Sequence, residues 1–224
     1  MRSLLLSILH PPGFYLTPRL FIPTTLWSQG GAKLEKLPQK TSMLLTLGTA
    51  LEELQRHSDE RERERRGGWA QEGVDSEEHW QRALVDWERV CDGIRESTRG
   101  KGGFAGIQQP GQGKSGGGGI GWGRLGKQWE KVTSGKNLDS PAAYVQSLTK
   151  VFQSAPVIGT PNSPSPSGPL PHYEHLTPSQ RSALERRLRN SSDFFATTVV
   201  PFVVRDLGLL MEKYLKKGEK WLVE

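Results

Sequence analysis

The sequence predicts an all-α protein: a helical bundle or extended helical hairpin with a long, Pro-kinked C-terminal helix and two large disordered loops. Three observations predict it. Leucines and aromatics recur at alternating three- and four-residue spacings, which sets them on single helix stripes. Two segments open on a capping residue followed by proline, at Ser140–Pro141 and Thr177–Pro178, the usual grammar of a helix start. Glycine and proline concentrate between the periodic segments, where a chain cannot bury enough surface to offset its ordering entropy.

Residues 1–34 hold no acid and carry Arg2, Arg19 and Lys33. Pro11 and Pro12 interrupt any long helix there, so this segment is expected to be a disordered or loosely packed arm. Its acid-free composition is loosely that of a mitochondrial transit peptide. Residues 35–224 are then a single helical domain.

Thr41–Arg66 reads as a helix with Leu44, Leu47, Leu51 and Leu54 on one stripe. The run after Leu54 alternates in charge sign, so it is expected to be solvated, with Asp59–Arg63 and Glu62–Arg66 as i,i+4 pairs. Ser76–Glu96 is the clearest helix. Trp80, Leu84, Trp87, Cys91 and Ile94 share one face, and Asp75 with Glu78 resembles a capping box. Two tryptophans on one stripe read as a core seam, or as a partner-binding face. Residues 99–123 form the first loop, within a stretch (99–126) that holds 13 of the 26 glycines. Leu125, Trp129 and Val132 suggest a short helix beyond it. Tyr144, Leu148, Val151 and Phe152 give the next helix its buried face until Pro156. Residues 156–176 are rich in proline and serine and form the second loop. From Thr177 one stripe runs through Leu184, Leu188, Phe195, Val199 and Phe202, and a slightly rotated one through Val203, Leu207, Leu210 and Tyr214. Pro201 should kink or break this helix.

Composition limits the core. Only 34% of the 224 residues are apolar, but seven Trp argue against wholesale disorder. The single cysteine, Cys91, excludes an intrachain disulfide framework and a multi-cysteine zinc site. The net charge of +6 is concentrated in residues 99–136, while 35–98 are net acidic, unlike a uniformly basic nucleic-acid-binding domain. The longest apolar run, Phe194–Val204, ends at Arg205 and Asp206, short of the ~20 residues of a membrane span.

Two glycine patterns resemble phosphate-binding motifs. Gly113-Lys114-Ser115 ends like a P-loop, but position 108, where the pattern needs glycine, is Gln. Gly121, Gly123 and Gly126 spell GxGxxG with no strand before them. His172 and His175 sit three apart in a proline-rich segment with no further ligand set. No ordered triad or carboxylate dyad stands out, so no catalytic, cofactor or metal residue is assigned. Lys114, Arg124, Lys127 and Lys131 with Trp122 and Trp129 offer a sparse basic–aromatic surface for RNA. The C-terminal mix of lysines with Tyr214, Trp221 and Leu222 suits a bundle rim or a helix on an anionic membrane surface.

The function expected is a non-catalytic scaffold or assembly subunit acting through protein–protein contacts, in intracellular trafficking for example. Its partner would be another protein or a second copy, met through amphipathic helices of the coiled-coil kind. Trp80, Trp87, Trp221 and Leu222 are the candidate contact residues. A cytoplasmic setting is expected. The alternative is a mitochondrial matrix protein touching RNA through the basic glycine-rich segment.

Overall fold

Leu44, Leu47, Leu51 and Leu54 have no exposed surface, and around this stripe the other helices assemble. The structure, a computed structural model, describes residues 1–29, 32–67, 73–98, 138–158 and 177–223. The glycine-rich stretch, the helix suggested around Trp129 and the His172–His175 pair lie outside the described residues.

Helix α2 (Leu37–Gly67) and helix α3 (Gly73–Thr98) form an antiparallel hairpin joined by a short connection. Trp80, Leu84, Trp87, Cys91 and Ile94 of α3 are buried, as the four-three spacing requires. Helix α4 (Pro141–Ser154) runs parallel to α2 on its other side, with Lys150 paired to Glu52 at 2.7 Å. Ser140 caps α4 by accepting from the Ala143 amide. The chain does not enter a linker at Pro156: a 3₁₀ turn continues over Ala155–Ile158, and both of its ends are buried. Ile158 supplies the apolar anchor that keeps this turn on the bundle.

The C-terminal helix is continuous. Helix α5 (Pro178–Phe194) opens on a full capping box between Thr177 and Gln180. A π turn over Phe195–Val199 joins it to helix α6 (Val200–Val223). Pro201 therefore does not break the helix: it is the second residue of α6, directly after the π turn. The wider turn before it, closed by the Val200 amide on the Phe195 carbonyl, accommodates a residue that lacks a donor and crowds the preceding turn. α5 packs on α3, and α6 crosses the start of α2 and α4.

The N-terminal arm is structured, against expectation. Helix α1 (Arg2–Leu9) leads into a hairpin of strands β1 (Gly13–Thr17) and β2 (Leu20–Pro23), then a 3₁₀ turn over Thr24–Leu26. The hairpin puts a small β element into a mainly helical protein. Leu4, Ile22, Leu26 and Trp27 are buried in the common core, and Trp27 Nε1 donates to Ser7 Oγ at 3.2 Å. The cis Pro11–Pro12 peptide and Gly13 form the corner. A Cβ on Gly13 would collide with the Ile22 carbonyl of the facing strand, so only glycine fits.

Candidate functional site

Among the described residues three features stand out: an aromatic seam, a buried charge cluster and an exposed helix face.

The seam lies between α3 and α5. Trp87 is fully buried, stacks on Phe195 at 5.9 Å and meets Phe194 edge-on at 6.3 Å. Its Nε1 donates to Ser191 Oγ at 3.0 Å, satisfying the indole inside the core. Arg187 clamps the same pair of helices, giving two bonds to Glu88 at 2.7 and 2.9 Å and one to Gln81. Trp80 is also buried, at 3% exposure. Both tryptophans thus face this chain's own helices, and the partner-binding reading of Trp80 and Trp87 gives way to the core seam. Cys91 lies on the same stripe, where burial pushes its thiol well above the usual range and leaves it a packing residue. Trp221 and Leu222 continue α6, but their side chains lie outside the described set.

The charge cluster joins three helices. Asp206 of α6 has no exposed surface. Lys40 Nζ of α2 reaches its Oδ1 at 2.6 Å, and the Tyr144 hydroxyl of α4 donates to its Oδ2 at 2.9 Å. The Lys40 ammonium also stands 5.9 Å from the Phe202 ring. Burial pushes the Tyr144 hydroxyl well above its ordinary range, and the neighbouring carboxylate adds to the effect. Both carboxylate oxygens are engaged and shielded from solvent, so the arrangement orients helices rather than meeting a substrate. Sequence reasoning read Asp206 only as the end of an apolar run. The available signal was its phase: Val203, Asp206 and Leu210 share the buried stripe, and an acid there requires a partner.

The same cluster bears on the membrane question. The helix Pro178–Glu219 is long and apolar enough to cross a bilayer by length and composition alone, which counting an uninterrupted run misses. Yet 44% of its apolar 18-residue stretch is buried in the bundle. Asp206 is paired inside, and Arg205 is paired with Glu35 at 3.0 Å. These contacts tie the helix to α2, to α4 and to the segment before α2.

The exposed face is on α6, uncovered by the described residues. Pro201, Val204, Gly208 and Leu215 are exposed and share one side of the helix, bordered by Met211, which is half-buried and packs against the core. Val204 is 51% and Leu215 59% exposed. A Cβ on Gly208 would meet nothing, so the stripe is open at its middle.

Among the described residues, no three His, Cys, Asp or Glu side chains gather as a metal site. His57 and His79 face each other at 5.8 Å across α2 and α3. His57 is further held by Glu60 at 3.0 Å. No family model, curated protein or solved structure matches the chain.

Proposed function

We propose that the protein is a helical interaction subunit that offers the outer face and projecting end of α6 to a partner protein. The observation that carries this reading is where the buried stripe stops. It runs through Val203, Asp206, Leu207 and Leu210. On the same phase the next residues are Lys213, Tyr214 and Lys217, and every residue from Glu212 to Glu219 is exposed. At ~1.5 Å per residue that is roughly 12 Å of helix that the described residues of the chain leave exposed. A helix end this short is marginal in water. Tyr214 and Leu215 stand exposed on it, and the outward stripe leads down to them. An amphipathic helix of this kind suits an apolar groove on a partner, read through anchors three and four residues apart.

Affinity purification of the full chain beside a Val204→Asp/Leu215→Asp variant tests the proposal. Both positions are exposed, so the variant should melt like the parent. Partners retained by the parent and lost by the variant are the expected result. A parent that retrieves no partner, or a partner set indifferent to the two substitutions, would overturn it.

A further inference from the structure

The N-terminal hairpin presents a second surface with a different chemistry. Tyr15 of β1 and Phe21 of β2 are cross-strand partners, and their rings meet edge-to-face at 5.0 Å. Tyr15 is 58% and Phe21 39% exposed, so the pair stands on the outer side of the hairpin. The opposite side holds it rigidly, through Ile22 in the core and the Gly13 corner. Arg19 is exposed at the turn between the strands, and Leu9, 48% exposed, closes α1 just before the hairpin.

The segment's own charge has one sign. Residues 1–34 contain Arg2, Arg19 and Lys33 and no acid. All three are exposed. The first acid, Glu35, is neutralised by Arg205 at 3.0 Å. We propose that this hairpin docks on an anionic lipid surface, its aromatic pair entering the headgroup boundary and its basic groups facing the lipid charge. Aromatic rings favour that boundary because one end of it is apolar and the other wet. Basic groups near a negative leaflet add attraction that salt screens. A nucleic acid would use the cations and the rings but leave Leu9 without a role. The exposed aliphatic group therefore favours lipid.

The test is flotation of the full chain with phosphatidylcholine vesicles, with and without about 30% phosphatidylserine, at low and high salt. Binding should require the anionic lipid and fall at high salt. Arg19→Glu should weaken it by at least roughly fivefold. Tyr15→Ser/Phe21→Ser should abolish it while leaving the melting curve in place, since both rings are exposed; Tyr15→Phe should retain it. Equal binding to neutral vesicles, no vesicle binding, or undiminished binding by the double variant would overturn the proposal. So would a shift of single-stranded RNA without vesicle binding. The hairpin variants leave α6 intact, so this outcome is independent of partner capture.

Discussion

The Asp206 side chain sits in the core, so its burial rests on its two donors. Lys40→Met should cost about 3–5 kcal/mol, because it strands a buried carboxylate. The double variant Lys40→Met/Asp206→Leu should recover much of that loss in urea unfolding; additive losses would show that the pair is not the cause. Tyr144→Phe keeps the ring and removes one hydrogen bond, at about 1–3 kcal/mol. It also changes the pH dependence. Folded Tyr144 keeps its proton well above its ordinary value, whereas the unfolded chain releases it near pH ~10. Above that pH the folded state binds more protons, so stability declines as pH rises, and below it the contribution is complete. The alkaline decline should be shallower in Tyr144→Phe when unfolding midpoints are compared between neutral pH and pH ~10.5.

Two helix starts were legible, whereas α2 begins at Leu37, ahead of the expected Thr41, and α3 at Gly73, which puts the expected cap Asp75 inside the helix. Ser140 and Thr177 cap where their sequence context indicates, because a cap depends on three or four neighbouring residues. Thr177→Ala should cost about 1 kcal/mol, seen as a lowered midpoint. The buried faces of α2, α3 and α4 were legible for a similar reason, since periodicity is local. The hairpin was not. Its strands are four and five residues long, and their alternation is blurred by half-buried positions that only the long-range packing of Ile22 and Trp27 decides. The π turn leaves a trace in the sequence as the rotated stripe after Phe202. The buried positions 184, 188, 191 and 195 continue as 199, 203, 206 and 210, one residue later than an unbroken α-helix would have them. Pro201→Ala restores a donor at an exposed site and should stabilise the helix, by up to ~3 kcal/mol; an unchanged or lower midpoint would mean that the π turn already offsets proline's cost.

At the scale of the whole molecule, the N-terminal arm is part of the core. Burying Leu4, Ile22, Leu26 and Trp27 contributes on the order of 6–12 kcal/mol at about 1.5–3 each. That is comparable with the total stability of a domain. Removing residues 1–29 should abolish cooperative melting, whereas a detachable leader would leave it intact. The candidate site was half legible: the apolar character of α6 shows in its sequence, but which side faces the core depends on Lys40 and Tyr144, remote in the chain. The π turn ties these levels together. Upstream, α5 is clamped to α3 by Arg187 and Glu88; downstream, α6 is clamped to α2 and α4 by Asp206. Deleting one residue among 196–198 would regularise the helix but turn one clamp about 100° against the other. The segment should therefore accept changes of residue type and reject changes of length.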